Sequence, residues 1–358
     1  MTKPEAMATI LRHLTESGEV GSAQVSYPIN EVFIMNIELI AQERKENGTI
    51  YDLSEVAFDI DWETEITEQP GKLTFSFVDQ ENITLPEGSI VRLKVAGQGV
   101  FFGYIFKRSK SEKEVVKITA YDQLRYLKNK NTYVISDMTA SDIFSKLCKD
   151  SEMKHEVKKA SSYKIASRVF DDKTLYEIIQ QAIDETLAYT GKWYFIRDNF
   201  GTLEFNDLED MKIDLVIGDL SLANTYSFDS SIDDDTYNQI KLVQENKESK
   251  KREVYIVKDS STIAQWGTLQ YYEKMDEKAN PAQIKEKAEK LLKAKNRVTK
   301  TLKVTALGSF EVFAGRLVVL DIDALKPEGV EQKHFIVTKC THKLRNNNHT
   351  MTLDLMVV

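Results

Sequence analysis

Apolar and polar residues alternate along the first third of the chain, in short runs separated by turns. A period of two is typical of β-strands that bury one face. Six such runs occur in this region: Phe33–Ile40, Val56–Glu63, Leu73–Phe77, Ile90–Val95, Val100–Phe106 and Val115–Ala120. Because Gly, Pro or polar residues separate the runs, they predict a small antiparallel barrel or sandwich over residues 31–130.

The pattern changes to a helical period near residue 133. The sequence Thr139-Ala-Ser-Asp142 resembles a capping box with Asp in place of Glu, and apolar residues at helical spacing follow it. A second apolar stripe covers Leu175–Leu187 and ends at Gly191, which is a typical helix stop. The hairpin-like segment Trp193–Phe205 comes next. We therefore predict an α+β insertion over residues 131–220.

Period two returns after Tyr226. Six runs follow: Ile240–Gln244, Glu253–Lys258, Leu302–Ala306, Arg316–Ile322, His334–His342 and Met351–Met356. One helix interrupts them over residues 281–296, with Asn280 as N-cap and Pro281 at the first helical position. The pattern predicts a second β-barrel over residues 221–358 with this helix packed on it.

The two strand-rich regions resemble each other in the order of their segments. Gly88–Leu93 parallels Gly315–Leu320, and the strand Phe102–Lys107 parallels Phe335–Lys339. The closing strands Val116–Ala120 and Met351–Leu355 also match. A duplicated β-module split by an insertion explains this order. The alternative is that any two antiparallel meanders look alike over three strands.

Composition narrows the class of protein. The chain has 358 residues and a net charge of −8, which argues against a nucleic-acid binder, since such proteins neutralise phosphates. Its two cysteines, Cys148 and Cys340, cannot build a disulfide framework, and we expect both to be unpaired core residues. Residues 1–30, a separate N-terminal extension, lack the apolar region of a signal peptide. No apolar run approaches the roughly 18 residues of a membrane span.

Two segments of the sequence partly resemble nucleotide-binding motifs. Gly97-Gln-Gly99-Val-Phe-Phe-Gly103 has the wrong spacing for a dinucleotide loop and leads into a strand, so we interpret it as a hairpin turn. Gly191-Lys192 lacks the upstream Gly and the following Ser or Thr of a phosphate loop. Neither motif predicts a cofactor.

Residues that bind metals or catalyse reactions form no recognisable constellation. The five histidines are His13, His155, His334, His342 and His349. They include no HExxH motif, and His334 and His342 lie too far apart on one strand to share a metal, so structural roles are expected. We interpret the acidic cluster Asp229, Asp233, Asp234 and Asp235 as a solvated turn, and the lysine-rich segment 285–303 as a solvated helix face. We predict no catalytic, cofactor-binding or metal-binding residue, and we predict that the protein is not an enzyme.

Several segments share a pattern with a known family: Gly71–Phe77, Glu87–Leu93, Phe102–Ile105, Ile118–Leu127, Thr139–Ile143, Trp266–Gln270 and the region from Ala314 onward. Together they resemble the baseplate hub proteins of contractile phage tails. The similarity is closest to hubs of defective phages and phage-tail-like bacteriocins of Gram-positive bacteria. It runs from about residue 30 to the end of the chain.

The resemblance implies a mainly β chain with two tail-tube-like antiparallel β-barrels and an α/β insertion between them. It implies a homotrimer in which three chains form a ring of six barrels and adapt the hexameric tail tube to the trimeric tip spike. Expected partners are the tail tube protein, the spike or tip protein and baseplate wedge proteins, with the tape measure protein as a further candidate. The expected location is the baseplate of a phage or phage-tail-like particle, assembled in the bacterial cytoplasm, without nucleic-acid binding or membrane insertion.

The alternative function is a tail-associated cell-wall hydrolase or a carbohydrate-binding tail-tip protein. Composition alone does not remove it, because a glycosidase needs only two carboxylates that flank a cleft. The insertion is the one region that could hold such a site. It contains a single histidine, His155, and no distinctive carboxylate pair.

Overall fold

The computed structural model describes residues 36–67, 69–233, 235–246, 251–275, 280–330, 334–345 and 348–356. The predicted N-terminal extension, residues 1–30, lies outside the described residues. So does the beginning of the predicted strand Phe33–Ile40.

A first β-module opens the described chain. Its strands are β1 (Ile37–Gln42), β2 (Ile50–Asp52), β3 (Phe58–Glu65), β4 (Lys72–Val78), β5 (Ile90–Val95), β6 (Gln98–Lys110) and β7 (Val115–Tyr121). They lie in the order β2-β1-β5-β6-β7-β4-β3, and all neighbours are antiparallel. Alternate side chains such as Leu73, Phe75 and Phe77 form one buried core, as the period-two pattern predicted.

The insertion follows a 3-10 helix, Gln123–Lys128. Its elements are β8 (Lys130–Ile135), β9 (Met138–Thr139), α1 (Ala140–Asp150), β10 (His155–Val157), β11 (Lys164–Ile165), β12 (Arg168–Thr174), α2 (Leu175–Thr190), β13 (Tyr194–Asn199) and β14 (Thr202–Asp207). The predicted capping box of Thr139 and Asp142 begins α1, and Gly191 ends α2 with a left-handed φ of 71°. The two helices pack together over the β13–β14 hairpin, so the predicted α+β character is confirmed.

The next two strands belong to a second β-module, and the chain then forms a separate unit before it returns to this module. Strands β15 (Lys212–Gly218) and β16 (Ala223–Ser231) come first, after a 3-10 helix at Leu208–Met211. Because β15 pairs with a strand of the second module, the insertion ends near residue 211 and not at residue 220.

A small α/β unit separates the halves of the second module. It contains β17 (Gln239–Asn246), β18 (Lys251–Lys258), α3 (Ser260–Trp266), β19 (Gln270–Met275) and α4 (Pro281–Lys295). Helix α4, which Asn280 caps as predicted, does not pack on the second barrel. Its residues Ile284, Ala288 and Leu291 cover Ile240 and Leu242 in a core of their own, because β17 to β19 form a separate sheet.

The second module is completed by β20 (Thr299–Leu307), β21 (Leu317–Asp321), β22 (His334–Arg345) and β23 (Asn348–Met356), with a 3-10 helix at Asp323–Glu328. Its strand order is β15-β21-β22-β23-β20-β16. All pairs are antiparallel except β15 with β21, which is parallel.

The two modules are parts of one sheet. Strand β22 pairs with β3, and this pair joins the strands of both modules into a sheet of 13 strands. The alternating pattern of Met351–Met356 predicts an unpaired edge near a contact between chains, but β20 and β22 flank β23, so this prediction is wrong. For the other predicted edge, Phe33–Ile40, the described strand β1 pairs with β5 along its length, and β2 covers its second side only over residues 40–42.

Candidate functional site

The junction of β3 and β22 carries opposite charges on its two strands. Lys339 of β22 lies 3.3 Å from Glu63 and 3.8 Å from Glu65 of β3. Burial alone raises the pKa of Glu63, but hydrogen bonds and charges from Lys72 and Lys339 outweigh burial and lower it. A basic strand therefore meets an acidic strand, and cross-strand pairs of opposite charge favour this register.

Arg345 closes the far end of the same junction. Its Nε lies 2.9 Å from Asp59, and its Nη2 lies 2.7 Å from Asp61. Its Nη1 also donates a hydrogen bond of 3.0 Å to the carbonyl oxygen of Ile60. One guanidinium group thus binds three acceptors on β3, which fixes the relative position of the two modules.

The inward face of the junction is an aromatic stack. The rings of Trp62 and His342 are 4.9 Å apart, and Phe310 stacks on both His342 at 5.4 Å and His349 at 4.1 Å. His342 is completely buried. The stack joins β3, β22, β23 and the loop before β21, so residues from both modules share it.

The two histidines of the stack are neutral. His342 Nε2 lies 2.8 Å from the carbonyl oxygen of Val312, which only accepts, so Nε2 carries the proton. His342 Nδ1 then accepts from His349 Nε2 at 2.9 Å. Burial, with the neighbouring His349, lowers the pKa of His342 to about 3, and burial lowers the pKa of His349 to about 4. His342 therefore has the predicted structural role, while its pairing with His349 had no sequence signal.

The repeat inferred from the sequence reappears in the backbone. Ile105 bonds through its N–H to Ser89 and through its C=O to Gly88. Val337 bonds in the same way to Arg316 and Gly315. Each strand then has an irregularity in the same place, directly before Lys107 in β6 and directly before Lys339 in β22. Strands β6 and β22 are therefore equivalent residue by residue, with Lys107 at the position of Lys339.

The equivalent strands differ in their neighbours. β22 runs past the end of β21, and its extension Lys339–Leu344 pairs with β3. β6 likewise runs past β5, whose pairing ends at Tyr104, but the extension Lys107–Lys110 has no strand on that side among the described residues. β16, the equivalent of β3, pairs with β20 alone within the described ranges. Within the described ranges, two equivalent edges therefore lack the partner that β3 and β22 find in each other: the extension Lys107–Lys110 of β6 and the strand β16.

The insertion contacts both modules through its β13–β14 hairpin. At its turn, Phe200 lies against Gly99 of β6, where any side chain would overlap the Phe200 ring. Nearby, two guanidinium groups lie over the ring of Phe313, that of Arg197 at 4.1 Å and that of Arg316 at 4.5 Å from the ring centroid. Burial lowers the pKa of both arginines, and Glu204 partly offsets this for Arg197 through a 3.0 Å ion pair.

A cavity of about 320 Å³ lies where the three parts meet. Glu65 is part of its lining, and so are two aspartates, the buried Asp122 and the half-buried Asp198. Burial raises the pKa of both carboxyl groups, and for Asp122 the nearby Asp198 adds to the effect. Asp122 accepts from the N–H groups of Gly71 and Leu124, while Asp198 accepts from Gln123 and Gly201. Both carboxylates therefore hold backbone turns, which is a structural use of their oxygens.

The remaining candidate residues occupy structural positions. Cys148 and Cys340 are free and buried, as predicted, and burial raises the pKa of the Cys148 thiol to about 12. The predicted hairpin turn at Gly97 and helix stop at Gly191 are confirmed. His155 packs its ring edge against Phe144. Among the described residues, no group of three His, Cys, Asp or Glu side chains could hold a metal ion.

Two charged groups differ from their predicted roles. Lys295 is buried rather than solvated, because it pairs with Asp235 at 2.5 Å and lies over the rings of Tyr237 and Tyr271. Asp229 lies within β16 and not in a turn. No helix in the described part of the chain is both long and apolar enough to span a membrane.

Comparisons with known proteins agree with this architecture. A family model described as YqbQ-like matches residues 60–356. The chain is 32% identical to the uncharacterized protein YqbQ of Bacillus subtilis (strain 168), over 76% of this chain and 82% of YqbQ. It is 31% identical to the phage-like element PBSX protein XkdQ of the same strain, over 78% of this chain and 84% of XkdQ.

A solved structure shares the fold. The 43 kDa tail protein of prophage MuSo2 from Shewanella oneidensis superposes with a TM-score of 0.66 at 12% identity. The match covers 90% of this chain and 98% of that protein. The chain is thus similar in sequence to a protein of a phage-like element and in fold to a phage tail protein.

Proposed function

Because the chain belongs to the YqbQ-like family, we propose that it is the baseplate hub of a contractile phage tail or tail-like bacteriocin, with a structural and not an enzymatic role. The single observation that supports this most directly is the repeat of two equivalent β-modules in one chain. Two modules per chain allow a ring of six modules to close with three chains.

Such a ring has the symmetry that a hub needs. A homotrimer presents three identical chains to a trimeric tip spike and six similar barrels to a hexameric tail tube. The proposed partners are therefore the tube, the spike and the surrounding wedge proteins. The MuSo2 protein, named as a tail protein, supports a place in the tail.

A genetic experiment tests this function. Deleting the gene from a strain that produces the particle, followed by electron microscopy, is expected to give no complete tails with baseplates. Supplying the gene on a plasmid restores them, and labelled protein then lies at the tip end of the tube. Complete, active particles without the protein would contradict the proposal.

A separate experiment tests the alternative function, a cell-wall hydrolase. Asp122 and Asp198 are the two aspartates of the cavity lining, which also includes Glu65, and both accept hydrogen bonds from backbone N–H groups. We expect purified protein to leave the turbidity of a peptidoglycan suspension unchanged. A fall in turbidity that Asp198→Asn abolishes would establish the hydrolase instead.

A further inference from the structure

The first module has an unpaired basic edge. In β6, residues Lys107 to Lys110 continue past the last residue paired with β5, and all of them are exposed. Lys107, Arg108 and Lys110 supply three positive charges. Arg108 and Lys110 form ion pairs with Asp79, whereas Lys107 has no acidic partner among the described residues.

The second module has an unpaired acidic edge. β16 has nine residues, most of them exposed, and pairs on one side with β20. Asp229 lies in this strand and has no basic partner in the described part of the chain. A strand of this length with an open edge is a template for pairing with another chain.

The intact junction within the chain shows how two such edges fit. Glu63 of β3 and Asp229 of β16 occupy equivalent positions. From Glu63, successive cross-strand pairs through the two intervening strands lead to Tyr104 of β6. From Asp229, the corresponding pairs lead to Ile336 of β22. Tyr104 and Ile336 are themselves equivalent, because each is followed by the residue that bonds back to the glycine turn.

We infer that Lys107–Lys110 of one chain adds antiparallel to β16 of a second copy, in the register that β22 and β3 use within the chain. Thr341 lies opposite Glu63 in that register, so Ser109 lies opposite Asp229 of the second copy. Lys107 then takes the place of Lys339 and pairs with Asp229. This inference identifies the surface that joins neighbouring chains in the proposed ring, and it therefore depends on the proposed function.

Charge favours this occupant over an unrelated strand. The internal junction places basic residues on β22 against acidic residues on β3, and the open edges repeat the same polarity. A second copy presents both edges at once, so a closed ring pairs the extension of β6 and the strand β16 of every chain.

A cysteine pair tests the register. The variant Ser109→Cys with Asp229→Cys is oxidised both as purified full-length protein and in assembled particles, and cross-linked chains are counted on a non-reducing gel. The buried Cys148 and Cys340 do not interfere. The matched control is Ser109→Cys with Ser230→Cys, in which the second cysteine lies on the opposite face of β16. We expect cross-linked dimers and trimers from the first pair and little product from the control.

Charge reversal tests the ion pair. Lys107→Glu and Asp229→Lys are each expected to weaken assembly by at least about tenfold, because a closed ring holds the contact several times. The double variant is expected to restore assembly, whereas Lys285→Glu on α4 leaves it unchanged.

The outcomes separate this inference from the proposed function. Particles that contain the chain at the tip, but in which the Ser109–Asp229 pair does not cross-link and the charge reversals have no effect, overturn the edge pairing and leave the hub function intact. Particles that are complete without the chain overturn the function itself.

Discussion

The two β-modules of this chain share the order of five strands, β5-β6-β7-β4-β3 and β21-β22-β23-β20-β16, but the same edge has a partner strand in only one of them. In the second module, the extension of β22 is covered by β3, and Cys340 and His342 are completely buried. In the first module, the equivalent residues Arg108 and Lys110 of β6 are exposed and charged. On the face where the covered edge buries Cys340 and His342, the open edge keeps charges that make it soluble. The internal junction is thus a template for a contact that the single chain leaves incomplete.

The largest expected effect comes from removing the indole ring of Trp62, which the junction covers. Trp62→Ala should lower the free energy of unfolding by about 3–5 kcal/mol, because it leaves a cavity beside His342 and Phe310. Phe228, at the equivalent position of the second module, is only half-buried, so Phe228→Ala should cost roughly 1–2 kcal/mol. Urea unfolding of both variants measures the difference. Equal losses would show that the two edges are covered alike.

Acid should weaken the covered junction specifically. The unfolded chain protonates His342 below its ordinary pKa of 6.5, whereas the folded chain holds that pKa at about 3. The free energy of unfolding therefore falls as the pH drops through this window, and His342 alone contributes roughly 3 kcal/mol of the loss by pH 4. His342→Asn should flatten the dependence of Tm on pH, while His155→Asn should not. Parallel curves for wild type and His342→Asn would contradict the burial of a neutral imidazole.

Two equivalent glycines allow a sharper comparison. Gly88 and Gly315 both have positive φ, 86° and 100°. A Cβ at Gly88 meets nothing, but a Cβ at Gly315 would overlap the ring of Phe195 in the insertion. We expect Gly88→Ala to cost about 1 kcal/mol from backbone strain alone and Gly315→Ala about 2–3 kcal/mol. Thermal unfolding measures both, and a larger loss at Gly88 would reverse the comparison.

The smallest effect concerns surface charge. Arg345→Ala should lower the free energy of unfolding by about 1 kcal/mol at low salt, because its ion pairs with Asp59 and Asp61 are partly exposed. Lys107→Ala should have no measurable effect on the isolated chain, since Lys107 has no acidic partner among the described residues. Adding salt should shrink the loss at Arg345. A loss at Lys107 in the monomer would mean that its edge is already occupied.

Much of the fold was predictable because local patterns determined it. The period-two runs located β3 to β7 of the first module and β20 to β23 of the second, but not β2, β15 or β16. The caps at Thr139, Gly191 and Asn280 lie where their sequence patterns placed them. The repeat was visible because the same order of glycine turn, long strand and closing strand occurs twice. These features depend on residues that are close in sequence.

Features that depend on distant contacts were not predictable. The sequence contained no signal that β22 pairs with β3, so the wrong strand, β23, was expected at an edge. The separate sheet under α4 was missed because strands of any sheet share the same periodicity. The burial of Lys295 and the pairing of His342 with His349 likewise arise only when remote segments pack together.

The copy number of the chain in assembled particles tests the central claim most directly. If the two modules are equivalent and the open edges join between chains, a symmetry-resolved reconstruction of the tail tip will show three copies in one ring. Its six modules will share a continuous sheet, with β6 of each chain against β16 of the next. Finding six copies, or one, would contradict the account.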